Sequence, residues 1–141
     1  MLISAHVTHT ASDHRVSLAT AGHAKTLSVP ARSDGPGSSV NGGEFLMLAL
    51  ATCYCNDLHR EAKRLNIRLD AVEVEASAEF EGVGLAATRI RYRARVSSNA
   101  DAQQIARLLR ETDAVAEVHN TIRSGASVTL QPWSSSDEST T

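Results

Sequence analysis

Residues 44–65 read EFLMLALATCYCNDLHREAKRL, and the reading of this stretch decides the fold. No Gly or Pro interrupts it, and its length suits a helix, not a strand. Through Cys55 it is apolar nearly all round, and from Asn56 to Asn66 it is amphipathic. A helix that changes in this way has its first half enclosed and its second half at the surface. Glu44 falls in the first turn, where the helix dipole favours a carboxylate. Asn66 ends the helix at a C-cap position.

On the N-terminal side, residues 30–43 (PARSDGPGSSVNGG) are rich in Gly, Ser and Pro and predict a loop. Its length is of the kind often tied to function. The first 30 residues alternate: Ile3, Ala5 and Val7, then Val16 and Leu18, then Leu27 and Val29. Turn residues separate these runs, which predicts a three-stranded antiparallel meander. On the C-terminal side, Val72, Val74, Ala76, Ala78 and Phe80 alternate with Glu73, Glu75, Ser77, Glu79 and Glu81. Beyond Gly82-Val83-Gly84, Ile90, Tyr92, Ala94 and Val96 alternate with Arg89, Arg91, Arg93 and Arg95. Two strands with oppositely charged outer faces predict a hairpin that pairs Glu79 with Arg89, Glu75 with Arg93 and Glu73 with Arg95. Helices are expected over Asn99–Thr112, capped by Ser98 or Asn99, and over Asp113–Arg123, stopped by Gly125. A last strand is expected over Ala126–Gln131. This order of elements is α+β, a layer of antiparallel sheet against helices. Residues 1–131 read as a single domain and 132–141 as a disordered polar tail.

Composition narrows the function. Of 141 residues, 42 % are apolar and 21 % charged, with 14 Lys plus Arg against 16 Asp plus Glu. That excludes a disordered chain and a disulfide-stapled mini-protein, and the near-neutral balance speaks against binding nucleic acid through bulk charge. The longest apolar run, Phe45–Ala51, is far short of the ~20 residues a membrane span needs. No membrane contact is expected, and with no basic leader and apolar run at the N-terminus the chain reads as cytoplasmic. His6 and His9 face opposite sides of a strand. His6, His14 and His23 approach one another across the meander without a ligand spacing, so neither a metal nor a cofactor is expected.

The chemistry rests on Cys53 and Cys55, the two cysteines of the chain. Two helical steps turn their side chains about 200° apart, so they do not suit an ordinary disulfide. Buried cysteines are commonly inert packing residues. A reactive one needs its thiolate stabilised by a cation or a helix N-terminus. Cys53 lies too deep in the helix for the latter, so a cation would come from elsewhere in the fold.

The run Gly42-Gly43-Glu44-Phe45-Leu46-Met47-Leu48-Ala49-Leu50-Ala51-Thr52-Cys53 resembles the central-helix motif of the OsmC/Ohr family, the osmotically inducible and organic hydroperoxide resistance proteins. The continuation Glu61–Leu69 is similar to the family's ending, and the element order matches over about residues 2–131. The resemblance implies an intertwined homodimer with sites at the subunit interface. It also implies thiol-dependent reduction of small organic hydroperoxides, in which a thiolate is oxidised to a sulfenic acid. In the family a second Cys on the short helix then closes a disulfide, an Arg keeps the first Cys ionised and a Glu holds that Arg.

By position Cys53 is similar to the family's nucleophile. Ala116 stands where the second Cys should be, and Glu117 replaces the following Pro. Glu44 fills the second Glu position of the helix start. The activating Arg is Arg32 or Arg15, and a solvated surface role fits either equally well. Two readings follow. In one, Cys53 works as a one-Cys peroxidase whose sulfenate an external thiol reduces. In the other, the fold is a non-catalytic module that binds a small apolar or thiol-bearing ligand in a dimer-interface pocket. Cys55 is read as packing, and His119 either lines the pocket of Cys53 or lies half-exposed on its helix.

Overall fold

The structure is a computed structural model that describes residues 1–133. Three strands, β1 (Ile3–His9), β2 (His14–Thr20) and β3 (His23–Leu27), precede the long helix α1 (Gly42–Arg64). After it come β4 (Ala71–Glu79), β5 (Thr88–Ser97), α2 (Ala102–Val115) and α3 (Glu117–Arg123). Contacts divide the chain into two compact units, Met1–Ala49 with Ala76–Arg91, and Leu50–Glu75 with the chain from Tyr92 onward. The division falls within α1 and within both strands of the hairpin.

In the first unit β1, β2 and β3 form an antiparallel meander in sequence order, with Ile3 opposite Thr20 and Val16 opposite Leu27. Ala21 and Gly22 join β2 to β3 with φ of 49° and 82°. Two successive left-handed residues make the type I′ turn that matches the twist of a tight hairpin. Val16 and Val29 are buried, whereas every residue of β1 is exposed.

The start of α1 is an interlocked cap. The Asn41 side chain accepts from the Glu44 amide at 2.9 Å, and the Glu44 carboxylate accepts from the Asn41 amide at 2.8 Å. Two backbone donors that a helix start leaves unpaired are thereby satisfied. Gly43, in the first turn, has little room for anything larger: a Cβ there would stand 3.1 Å from the Phe80 ring. The helix ends as the sequence predicts. Asn66 is left-handed (φ 56°), its amide reaches Lys63 O at 3.2 Å, and the Ile67 amide reaches Ala62 O at 2.8 Å. This pair of bonds is the Schellman closure.

The second unit holds the core. Tyr54, Leu58 and Ala62 recur on one face of α1 and pack with Leu108 and Ala116. Val72, Val74, Tyr92, Ala94 and Val96 cover them from the hairpin. Leu58 and Leu108 are both fully buried, each worth roughly 1.5–3 kcal/mol of apolar transfer. The predicted charge ladder is present: Arg89–Glu79 at 2.9 Å, Arg93–Glu75 at 2.6 Å and Arg95–Glu73 at 2.5 Å. These pairs are largely exposed and fix register more than they add stability.

Three expectations are corrected. The cap of α2 is Asp101, not Ser98 or Asn99; Asp101 and Gln104 bond each other's backbone amides at 2.8 and 3.1 Å. The break between α2 and α3 falls at Ala116, which is extended (φ −73°, ψ 103°), and not before Asp113. Ala126–Gln131 forms no strand, and Val128 and Leu130 are 98 % and 99 % exposed. Alternation alone does not make a strand, which needs a sheet edge to bond. Of the expected disordered tail, the part from residue 134 on lies outside the described residues.

Candidate active site

Cys53 sits on α1 one position before the core residue Tyr54, half-buried and reduced, as is Cys55. One turn on, at i+4, Asp57 is only 5 % exposed. The Cys53 thiol donates to Asp57 Oδ2 at 3.5 Å, an ordinary length for a sulfur donor, though a weak bond. A further turn on, Arg60 binds Asp57 Oδ1 through Nη1 at 2.8 Å. The helical period places these three residues along one stripe.

Glu117 arrives from the first turn of α3. Its carboxylate lies 3.8 Å from Arg60 Nη1. Donor atoms of Cys53, Asp57 and Glu117 all lie within 4.8 Å of one another, the one such grouping among the described residues. The Arg60 guanidinium rests on both carboxylates and supplies the positive charge that such a cluster requires. Burial pushes the Cys53 thiol above its usual value, and the Asp57 and Glu117 charges add to this; the Val118 backbone pulls the other way. Asp57 is also raised, by burial first and then by Glu117, against the lowering effects of Cys53 and Arg60. A carboxylate pressed against another carboxylate in a partly dry site holds a proton more readily.

Ala116, the position matching the family's second cysteine, is completely buried in the core beside Tyr54 and Leu58. It presents a methyl group and no thiol. His119, one turn further, is 3 % exposed, and neither ring nitrogen has a hydrogen-bond partner among the described residues. It packs edge-on against Tyr92, with ring centroids 4.4 Å apart, and near Tyr54 at 5.8 Å. Tyr92 in turn donates to Asp113, which Arg123 holds at 2.6 Å. His119 is thus a core residue and not a half-exposed helix position.

The other residues singled out from the sequence belong to the first unit. Arg32 forms a fork with Asp34 at 3.0 and 3.2 Å and lines an open cleft with His9, Asp13 and His14. Arg15 pairs with Asp13 at 2.5 Å. Glu44 is engaged in the α1 cap. The cation in the Cys53 cluster comes from the cysteine's own helix. Asp57 and Arg60 were legible as i+4 and i+7 partners of Cys53, a signal that sequence reading passed over. Glu117 was noted only as the replacement for a Pro.

A family model for OsmC-like proteins matches residues 35–131. The chain belongs to the OsmC-like family. Solved structures agree on the fold. An OsmC-like protein from Mycoplasma pneumoniae superposes with a TM-score of 0.59 at 17 % identity, covering 86 % of this chain and 85 % of that one. An organic hydroperoxide resistance protein from Legionella pneumophila gives 0.58 at 16 % identity, covering 87 % and 90 %. A second protein of that description, from Elizabethkingia anophelis, gives 0.59 at 16 %, covering 87 % and 89 %. No curated protein matches the chain. At such identities the likeness shows the fold of this OsmC-like protein alone. Among the described residues no helix is long and apolar enough to cross a membrane.

Proposed function

We propose that this OsmC-like protein reduces small organic hydroperoxides by a one-cysteine route, with Cys53 as nucleophile. The observation that carries the reading is the cysteine itself. At the position of the family's nucleophile stands a reduced, half-buried thiol whose S–H meets a carboxylate. Hydroperoxide resistance in the names of the Legionella and Elizabethkingia proteins supports organic hydroperoxides as the substrate class. The sulfur attacks the terminal peroxide oxygen, the O–O bond breaks, and Cys53 becomes a sulfenic acid as the hydroperoxide becomes an alcohol. Ala116 offers no thiol to resolve the sulfenate, and Cys55 points about 200° away on the same helix. An external thiol therefore condenses with it, releasing water, and a second thiol molecule frees Cys53 as a disulfide leaves.

Arg32 and Arg15 enter this proposal as alternative activators, with Glu44 at the helix start. The working form is a cytoplasmic homodimer. Two features support association: Ile3 and Val7 are 66 % and 58 % exposed on β1, and the Val128 and Leu130 side chains are bare. Apolar surface of that kind favours a covering partner.

The test is turnover of cumene hydroperoxide with excess monothiol. Cys53→Ala abolishes consumption and Cys55→Ala preserves it; equal consumption by wild type and Cys53→Ala would refute the reading. The raised Cys53 thiol favours a second one, a non-catalytic module that holds a small apolar or thiol-bearing ligand at the dimer interface. That reading requires ligand binding without turnover, retained in Cys53→Ala.

A further inference from the structure

A thiol held in its protonated form by burial and two acidic neighbours is a poor nucleophile, because the thiolate is the species that attacks. Such a nucleophile can instead be activated by an adjacent base that removes its proton as the bond forms. The geometry points to Asp57 as that base: its Oδ2 accepts the Cys53 S–H at 3.5 Å, and its Oδ1 is held by Arg60 at 2.8 Å. This inference rests on the peroxidase reading and assigns a catalytic residue within it.

The step balances. As the sulfur electron pair attacks the terminal oxygen of an organic hydroperoxide, the thiol proton moves to Asp57. The S–O bond forms, the O–O bond breaks, and the leaving alkoxide takes the proton from Asp57. Sulfur is oxidised from thiol to sulfenic acid, the hydroperoxide is reduced to an alcohol, and Asp57 ends as it began.

Three features fit Asp57 to this work. Its position at i+4 on a rigid helix fixes the donor–acceptor contact without a loop rearrangement. Its burial keeps water from competing for the proton. Its basicity is raised toward the working range of a general base by burial and by Glu117. Arg60, half-exposed, is a positioning residue that orients the carboxylate without touching sulfur. The titratable and charged groups around the Cys53–Asp57 pair are Arg60, itself bonded to Glu61, from α1, and Glu117 and His119 from α3. Asp113 of α2 and Tyr92 of β5 stand behind His119.

The experiment follows Cys53 oxidation by cumene hydroperoxide in stopped flow, alongside alkylation of Cys53 by iodoacetamide across pH. In the wild type the oxidation rate is nearly flat from pH 6 to 8, because proton removal accompanies attack. In Asp57→Asn oxidation slows at least tenfold at pH 7 and rises about tenfold per pH unit, while the alkylation midpoint moves to lower pH as a negative charge is lost. Asp57→Glu recovers part of the rate. A purely electrostatic Asp57 would make oxidation faster in Asp57→Asn, and that result overturns the assignment while leaving the peroxidase intact. A tenfold rise per pH unit in the wild type overturns it without any variant. A wild-type Cys53 that stays a thiol in excess hydroperoxide fails the peroxidase reading, and the base assignment fails with it.

Discussion

The rings of His119 and Tyr92 meet edge to face, 4.4 Å between centroids, and among the described residues neither buried imidazole nitrogen has a hydrogen-bond partner. Burial first, and the Arg123 charge second, hold this imidazole below its ordinary value; Asp113 and Asp57 oppose them. An unfolded His takes up its proton near pH 6.5, about the model-peptide value. The folded one does so only at lower pH, so between the two the unfolded chain binds more protons. Stability therefore falls as pH drops below that point, by at most about 1.4 kcal/mol per pH unit. Denaturant melts at pH 7 and pH 5.5 should show a larger loss in the wild type than in His119→Phe. Equal losses would mean that His119 is not buried neutral.

Leu58 lies at the centre of the α1 core and is fully buried with Tyr54 and Leu108 around it. Leu58→Ala removes buried methyl groups and leaves a cavity, at a cost of about 2–5 kcal/mol. The urea midpoint should fall with the slope unchanged. Leu48→Ala, a change at a site 56 % exposed, should move it by less than about 1 kcal/mol.

The Glu–Arg ladder of the hairpin predicts a charge swap. Arg93→Glu places like charges opposite each other and should destabilise by about 0.5–1 kcal/mol, an amount that added salt reduces. Combining it with Glu75→Arg should restore most of the loss. A double-mutant cycle with no coupling would contradict the 2.6 Å pair.

Asp101→Ala removes the side-chain acceptor for the Gln104 amide at 2.8 Å. Such caps are worth about 1 kcal/mol, and the thermal midpoint should drop accordingly. Asp101→Ser should recover most of it.

Sedimentation of the full chain should give a dimer. Removal of residues 126–141 should weaken it if the bare Val128 and Leu130 cover a partner's surface. A monomer at micromolar concentration would contradict the homodimer.

The fold was legible where a local pattern specifies structure by itself. The alternation of Glu and Arg gave the hairpin and its register, and an apolar run closed by a left-handed Asn66 gave α1. What failed depends on distant partners. Alternation at Ala126–Gln131 is compatible with a strand, but a strand forms only against an edge. Ser98 and Asn99 have capping chemistry, yet Asp101 wins because Gln104 three residues later completes a reciprocal box. At the site, Cys53 stood out from its motif. Asp57 and Arg60, at the i+4 and i+7 positions from Cys53, were equally legible from the helical period. The contribution of Glu117 depends on the tertiary approach of α3, which no local period encodes. His119 looked half-exposed because α3 is too short for its periodicity to reveal the buried face.

The most direct measurement is peptide mass spectrometry of the reduced protein after brief exposure to an equivalent of cumene hydroperoxide in the presence of dimedone. One dimedone adduct is predicted, on Cys53 and not on Cys55, and absent from Cys53→Ala. Recovery of Cys53 as an unmodified thiol, with the hydroperoxide intact, would contradict the proposed chemistry.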